Sequence, residues 1–230
     1  MNAKPPRIGP FRAVQALYRL ALLVRDPNRL NDVFEMADAL GTPQALAPIV
    51  DELAKDPFAA RAFEEGHRIR VDLRELRELP AGTLGHAFAK HMDDANLDPS
   101  ALPTLPSHER HLFFRAHLYE THDIWHVVTG FGVDYVGELG LQAFYLAQIP
   151  GALPALLVAT GFLRGALVDN AVLRPMMNEL VRGWRMGTQA KTFFGVHWDD
   201  MWSLPLADVR ARLGIEEADA RAGGVSALAA

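Results

Sequence analysis

Residues 121–141 read THDIWHVVTGFGVDYVGELGL, and this stretch decides how the rest of the chain is interpreted. It places His122, Asp123 and His126 within five residues, and Glu138 beyond a glycine-interrupted turn. Imidazole nitrogens and carboxylate oxygens together suit zinc, manganese or iron. The stretch therefore predicts a divalent metal site, against the alternative that four ligand-type residues are neighbours by chance.

Helical geometry divides these four residues between two helices. Successive residues of an α-helix advance by about 100°, so His122 and His126 differ by about 40° and Asp123 lies about 100° from His122. All three can therefore face one ion. Glu138 would lie about 18 Å further along a straight helix, so the chain must fold back to bring it to the histidines.

The reversal is predicted at the glycines between the two halves of the stretch. Gly130, Gly132 and Gly137 supply a permissive backbone. Residues 136–148 can then form a second, antiparallel helix with Glu138 in its first turn.

Composition favours one helical domain. The chain has 230 residues, of which 50% are hydrophobic but only 9% aromatic, and Ala and Leu are abundant. Such a chain can bury a substantial core within a single domain, and its residues favour helix over sheet. We expect an all-α, single-domain helical bundle. It would comprise a basic amphipathic helix at 1–25, the metal-binding domain at 26–215 and a flexible tail at 216–230.

Charge and cysteine content limit the possible partners. The net charge is −5 and no block of Lys or Arg interleaves with aromatic residues, so nucleic acid is not an expected partner. The chain has no cysteine, which excludes disulfides and thiolate ligands. Any metal must therefore be held by His and carboxylate groups, and the composition fits a reducing compartment.

The first 25 residues contain five cations and no acid: Lys4, Arg7, Arg12, Arg19 and Arg25. Apolar residues recur there at helical spacing, namely Phe11, Val14, Leu17, Tyr18, Ala21 and Leu22. Arg19 interrupts the apolar core that a secretory signal would need. Two interpretations stay open: a first helix docked on the domain, or a helix at a membrane surface.

Residues 139–163 carry no formally charged side chain. This span is long enough to suggest membrane insertion. Its glutamines, prolines and glycines favour instead two buried helices separated by the break at Pro150 and Gly151. The span would then form either ordinary core or an apolar cavity beside the metal that could take a lipid tail.

Local signals predict several helix boundaries. Thr42 with Pro43, and Asp56 with Pro57, are cap-and-proline starts. Ser107 is predicted to cap the helix that carries the signature. Residues 171–194 are predicted to form a long helix, and residues 205–213 are predicted to form the last helix.

The remaining histidines near the signature are predicted to be non-ligating. His86 and His91 are five residues apart and share no helical face well, so they are expected at the surface or behind the ligands. His108, His111 and His117 are expected to be solvated.

The signature and its flanks resemble the ubiquinone biosynthesis proteins of the coenzyme Q "protein four" family. The hallmark of that family is H-D-x-x-H followed after eleven residues by E, which His122, Asp123, His126 and Glu138 match without adjustment. Two further stretches carry the resemblance: LPAGTLG at 79–85 leading to KHMD at 90–93, and GWRMG at 183–187 leading to WDDMW at 198–202. The resemblance covers roughly residues 11–215.

The resemblance implies an all-helical protein with His122, Asp123, His126 and Glu138 as metal ligands. It implies oxidative decarboxylation at C1 of a polyprenylated hydroxybenzoate-type quinone precursor, in a homodimer that is cytoplasmic and peripheral to the inner membrane. The implied partners are that precursor or another isoprenoid lipid, the membrane surface and other ubiquinone biosynthesis enzymes. The chain departs from the family at residues 139–145, where LGLQAFY replaces a more polar helix.

The implied chemistry bears on the choice of metal. Removing a carboxylate from a phenolic ring requires stabilisation of charge on the ring, which a divalent ion bound to the phenolate can provide. Four protein ligands would leave two positions open on an octahedral ion and none on tetrahedral zinc. A redox-capable ion fits hydroxylating chemistry better, and zinc, iron and manganese all stay open.

Two other functions compete with this one. The His122-Asp123 pair is also found in HD-domain phosphohydrolases, where Asp169 could be a further ligand, but nothing in that class requires Glu138. A non-catalytic scaffold that binds isoprenoid lipids for the quinone-synthesising enzymes is favoured by the uncharged span and the basic N-terminus.

Overall fold

The part of the chain that the structure describes contains twelve α-helices joined by loops and short 3₁₀ turns. A computed structural model of the chain describes residues 9–99, 105, 108–149 and 151–222. The helices are α1 (Pro10–Arg25), α2 (Leu30–Leu40), α3 (Pro43–Leu53), α4 (Pro57–Glu65), α5 (Leu73–Arg77), α6 (Leu84–Asp94), α7 (Arg110–Thr129), α8 (Tyr135–Gln148), α9 (Ala152–Leu167), α10 (Leu173–Gln189), α11 (Leu206–Leu213) and α12 (Glu217–Ala222). Across these residues the backbone forms no β-ladder, only an isolated bridge between Thr83 and Pro205. The all-α prediction is confirmed.

Side-chain caps fix the helix starts that the sequence predicts. The Thr42 hydroxyl accepts from the Ala45 N–H at 3.2 Å, and Asp56 accepts from the N–H groups of Phe58 and Ala59. The last predicted helix is also present as α11, which follows Pro205. The predicted cap at Ser107 lies outside the described residues.

The centre of the core lies against α7. Trp125 is fully buried and meets Phe144 of α8 and Phe193 edge-on, while Trp198 packs on Phe193. A smaller cluster joins α1 and α2 to α9. The signature helix is therefore held rigidly from inside the domain.

The long helix predicted for 171–194 is shorter in the structure. α10 ends at Gln189, because Phe193 and Phe194 leave the helical path to enter the core, where both are fully buried. The Gln148 side chain secures this departure: its amide nitrogen donates to the Gly187 carbonyl, and its oxygen accepts from the Phe193 N–H.

The N-terminal helix docks on the domain through a different face from the one its spacing suggests. α1 buries Ala16, Leu20, Leu23 and Val24. Five of the six apolar residues noted in the sequence stay exposed instead, namely Phe11, Val14, Leu17, Tyr18 and Ala21. Because α1 carries apolar residues on two sides, packing covers one side and leaves the other open.

The tail predicted to be flexible, 216–230, is helical in its first part. Residues Glu217–Ala222 form α12, and Ala220 is buried against the end of α7. The Arg182 guanidinium donates to the Asp219 carbonyl at 2.7 Å. Arg210 of α11 donates to the Glu217 carboxylate at 3.0 Å, so contacts with both α10 and α11 hold this segment. Residues 223–230 lie outside the described part.

The uncharged span 139–163 forms parts of two helices, but only the first of them is largely buried. α9 buries Thr160, Gly161 and Gly165 and leaves Phe162 and Leu163 exposed, so the prediction of two buried helices is wrong for the second. α8 ends at Gln148 and α9 begins at Ala152, while Pro150 of the predicted break lies outside the described residues. In the described part of the chain, no helix is both long enough and apolar enough to cross a membrane.

Candidate metal centre

The turn between α7 and α8 brings the two halves of the signature together. Gly130 ends α7 with φ 72°, a left-handed conformation that favours glycine. Asp134 then caps α8 by accepting from the N–H groups of Val136 and Gly137 at 3.0 and 3.1 Å. Glu138 follows in the first turn, where the helix dipole stabilises a carboxylate.

Contacts along the two helices confirm that they are antiparallel. Glu138 meets His126, whereas Tyr145, two turns later in α8, meets His122, one turn earlier in α7. The fold-back predicted from helical geometry is therefore present.

Three of the four predicted ligands converge. The Nε2 atoms of His122 and His126 are 3.2 Å apart. Oε1 of Glu138 lies 3.1 Å from Nε2 of His126, and Oε2 lies 3.7 Å from Nε2 of His122. His126 is fully buried, while about a third of His122 and of Glu138 is exposed. Among the described residues this is the group whose donor atoms could hold a metal ion.

Hydrogen bonds behind the group orient its donor atoms. Nδ1 of His126 lies 3.0 Å from the Phe131 carbonyl, which can only accept, so Nδ1 carries a proton and Nε2 is the nitrogen directed at the group. Nδ1 of His122 lies 3.3 Å from the Tyr145 hydroxyl. Two nitrogen donors and a carboxylate directed at each other in this way fit a divalent cation.

The electrostatics of the group also fit a cation. Burial acts to raise the pKa of Glu138, but the imidazoles of His126 and His122 outweigh it and hold that pKa far below its ordinary value. Burial acts to lower the pKa of His122, but Glu138 and Asp123 raise it above the ordinary value. The pocket thus favours an ionised carboxylate and a compensating positive charge.

Asp123, the fourth predicted ligand, is not brought into this group. Its Oδ1 lies 3.8 Å from Nε2 of His91 on α6. Burial acts to raise the pKa of Asp123, but His91, His122 and His126 together hold it below its ordinary value. The offset of about 100° from His122 is enough to point Asp123 toward α6 instead of α8.

His91 lies behind the ligands, one of the two positions expected for it. Its ring stacks on that of His126 with centroids 5.7 Å apart. Its position depends on how α6 packs on α7, so spacing within the signature carries no signal for it.

An apolar cavity of about 1010 Å³ adjoins the group. His122, Asp123 and Glu138 form part of its wall. Most of the remainder is apolar and comes from six helices, with Leu23, Phe34, Ile49, Leu118, Leu146 and Leu157 as examples. The uncharged span was predicted to form either ordinary core or the lining of an apolar cavity, and it does both. Leu141 and Phe144 belong to the core, while Leu146 and Leu157 line the cavity.

His117, expected to be solvated, is buried instead. Its Nε2 accepts from the Gly195 N–H at 3.0 Å, and its ring packs against Phe113 and Phe194. Burial, assisted by the charges of His197, His67 and Arg68, lowers the pKa of His117 to about 3. The neutral ring is therefore a structural hydrogen-bond acceptor.

This lowered pKa predicts an acid-sensitive contribution to stability. Below the ordinary pKa of 6.5 the unfolded chain binds a proton at His117 that the folded chain rejects. The contribution is therefore complete above pH 6.5 and is lost toward pH 3, at about 1.4 kcal/mol per pH unit. We expect the free energy of unfolding of the native chain to fall relative to that of His117→Gln over this range. Parallel pH profiles for the two proteins would contradict the prediction.

The Tyr145 hydroxyl is expected to strengthen metal binding through His122. Tyr145→Phe keeps the ring that stacks on Trp125 at 4.3 Å but removes the group 3.3 Å from Nδ1 of His122. Loss of such an outer partner typically weakens metal affinity about 10-fold or more. Competition with a zinc chelator measures the change. Tyr119→Phe is the matched control, since Tyr119 also lines the cavity but its hydroxyl lies beside Arg115.

The fold and the site define a class of all-helical proteins with a candidate His-His-Glu metal centre at the wall of an apolar cavity. The family model described as "Coenzyme Q (ubiquinone) biosynthesis protein Coq4" matches residues 12–219. The chain therefore belongs to the Coq4 family, as its signature predicted.

Individual relatives agree with this assignment. The chain is 25% identical to the ubiquinone biosynthesis protein COQ4, mitochondrial, of Phaeosphaeria nodorum, with 94% of this chain and 78% of that protein covered. It is 29% identical to the Caenorhabditis elegans protein coq-4, mitochondrial, with 84% of each covered. A crystal structure of a candidate ubiquinone biosynthesis protein from Nostoc punctiforme superposes with a TM-score of 0.78 at 31% identity, covering 89% of this chain and 99% of that one.

The phosphohydrolase alternative finds no support in the site. Asp169, its possible further ligand, caps a short 3₁₀ turn by accepting from the Ala171 N–H at 3.0 Å. Glu138, which that class does not require, belongs to the convergent group instead.

Proposed function

We propose that the chain catalyses the metal-dependent oxidative decarboxylation, at C1, of a polyprenylated hydroxybenzoate-type quinone precursor in ubiquinone biosynthesis. The observation that carries this proposal is that His122, His126 and Glu138 converge at the wall of an apolar cavity of about 1010 Å³. Such a substrate has a polar ring and an apolar tail, and the two parts of the site match them.

His122, His126 and Glu138 are the residues that would hold a zinc, iron or manganese ion. With three protein ligands in place of four, tetrahedral zinc would keep one open position and an octahedral ion three, so each metal retains room for a substrate oxygen. Once bound, the ion would act as a Lewis acid that stabilises negative charge on the ring oxygen and carboxylate.

The chain's own groups prepare this site. The Phe131 carbonyl fixes the tautomer of His126, and the Tyr145 hydroxyl orients His122. The apolar wall beyond them provides room for the tail. The polar end of a bound precursor would therefore face the ligands, with its tail among Leu118, Leu146 and Leu157.

The test begins with elemental analysis and mass spectrometry of the protein purified under mild conditions, which identify the metal and any retained lipid. The protein is then incubated with a precursor labelled in its C1 carboxyl group, in the presence of zinc, iron or manganese and of air. We expect labelled CO2 to be released in proportion to bound metal. Absence of release with every metal would contradict the catalytic proposal.

A non-catalytic role is the second candidate, favoured by the reach of the cavity. Its wall extends from the ligands to Leu23 of α1, Phe34 of α2 and Leu157 of α9, far more apolar surface than a ring alone would need. As a scaffold, the chain would present isoprenoid lipids to other ubiquinone biosynthesis enzymes, as a homodimer. Retention of a polyprenyl lipid without any turnover would favour this role.

A peripheral position on the inner membrane, facing the cytoplasm, forms part of both proposals. The exposed side of α1 carries Phe11, Val14, Leu17 and Tyr18, and Arg12 lies beside them. Apolar and cationic residues on one exposed helix suit an anionic lipid surface. Co-sedimentation with anionic vesicles, lost in Phe11→Ser/Leu17→Ser, tests this placement.

A further inference from the structure

Gln142 of α8 is a polar residue of the cavity wall whose amide has no partner in the described part of the chain. The residue is half-buried and lines the cavity, and its amide forms no hydrogen bond with another described residue. Gln148, on the same helix, differs: its amide both donates and accepts, and so secures the end of α10. A polar group is costly to leave unpaired once a ligand displaces water, so the Gln142 amide is available to a polar group of that ligand.

Helical spacing places this amide beside the polar end of the cavity. Gln142 follows Glu138 by one turn, about 6 Å along α8 and about 40° around it, and precedes Tyr145 by three residues. Leu146 and Ile149 continue the cavity wall along the same helix. A head group that reaches the metal ligands would therefore lie against Gln142, with its tail running on toward Leu146.

The amide supplies a hydrogen-bond donor where the wall has few that are free. The carboxylates of Asp123 and Glu138 also form part of this wall, and once ionised they can only accept. Arg115 lines the cavity as well, but it forms an ion pair with α2. The Thr160 hydroxyl already donates to a backbone carbonyl. An anionic group on a ligand would thus find a neutral N–H donor in Gln142, beside any bound metal.

We propose that Gln142 is a substrate-binding residue that donates an amide N–H to the ring carboxylate of the precursor, so that Gln142 and the metal centre hold the head group together. The identity of the ring and of its carboxylate rests on the proposed function. A hydrogen bond to a carboxylate is stronger than one to a neutral acceptor, so this contact would select a carboxylated ring. Because the contact is lost when the carboxylate leaves as CO2, the product would bind more weakly than the precursor.

A matched pair of ligands tests this contact without turnover. 4-Pentylbenzoate carries the carboxylate and pentylbenzene lacks it, and neither has the ring hydroxyl of the precursor. Their dissociation constants are measured by equilibrium dialysis at neutral pH, with and without added zinc. In both conditions we expect Gln142→Leu to weaken binding of the benzoate about tenfold, the range of one hydrogen bond to a charged group. Pentylbenzene should bind at least as tightly as before.

Two further variants separate the donor from the shape of the side chain. Gln142→Glu keeps the shape but replaces the N–H donor with a second acceptor, so it should weaken the benzoate more than Gln142→Leu does. Thr160→Val is the matched control: it also removes a polar group from the wall, but one whose hydroxyl donates to the Leu157 carbonyl at 2.6 Å. We expect it to keep the native affinity for both ligands.

Several outcomes would overturn the proposal. These are failure of the native protein to bind the benzoate, unchanged affinity in Gln142→Leu, and an equal loss in Thr160→Val. A lower metal content in Gln142→Leu than in the native protein would also do so, because it would make Gln142 a support of the metal centre. Since no measurement here needs turnover, absence of CO2 release from the native, metal-loaded protein would count against the proposed function alone.

Discussion

Replacement of His126 by alanine is expected to remove the bound metal and abolish release of CO2 from the precursor, while helical content stays close to native. His126 is the best-placed ligand: it is fully buried, and its Nε2 lies 3.2 Å from His122 and 3.1 Å from Glu138. Alanine keeps the helix, since it is the strongest helix former. The loss of affinity should exceed the 10- to 100-fold typical of an outer partner, because a direct donor is lost.

Two further variants make this result specific. Glu138→Gln keeps the shape of the side chain but removes the charge that faces both imidazoles, so it should also lose metal. His111→Ala is the matched control: the same substitution on the same helix, at a residue whose ring faces Glu109 and not the centre. Metal content per chain, CO2 release and far-UV circular dichroism are compared. Full activity in a metal-free His126→Ala protein would contradict the catalytic role of the metal.

The part of the site that the sequence predicts correctly depends on local geometry. His122 and His126 share a helical face whatever the surroundings, and Gly130 marks the reversal that brings Glu138 back. Thr42 and Asp56 likewise cap helices through contacts within three residues. Each of these predictions follows from backbone periodicity or a short-range hydrogen bond. None of them requires knowledge of contacts between distant parts of the chain.

The features that the sequence does not predict all involve contacts between residues far apart in the chain. Asp123 lies outside the convergent group because it faces His91 of α6, and its role as a metal ligand stays a prediction. Phe193 ends α10 early because the core has room for its ring beside Trp125. α12 is ordered by Arg182 and by the end of α7, which no pattern within residues 216–230 indicates.

Replacement of Gly183 by alanine is expected to destabilise the fold strongly. Gly183 of α10 lies directly on Gly140 of α8, and a Cβ there would overlap the Gly140 carbonyl oxygen and come within 3.1 Å of the Phe144 nitrogen. These are backbone atoms that cannot rotate away, so the two helices must separate. Overpacking of this kind costs typically 1–3 kcal/mol or more, which outweighs the gain of up to about 1 kcal/mol in helix propensity. We expect a net loss of about 2 kcal/mol in the free energy of unfolding.

The same substitution links packing to the metal centre, because Gly140 lies only two residues beyond Glu138. Separation of α8 from α10 would shift the Glu138 carboxylate relative to the imidazoles of α7, so metal affinity should fall together with stability. Gly161→Ala is the matched control: it is also inside a helix, but its Cβ would meet only the ends of the Leu139 and Met176 side chains, which can move. Urea denaturation followed at 222 nm should therefore place Gly161→Ala within about 1 kcal/mol of the native chain. Equal midpoints for the two variants would show that the α8–α10 contact yields easily, and native metal affinity in Gly183→Ala would show that α10 does not position Glu138.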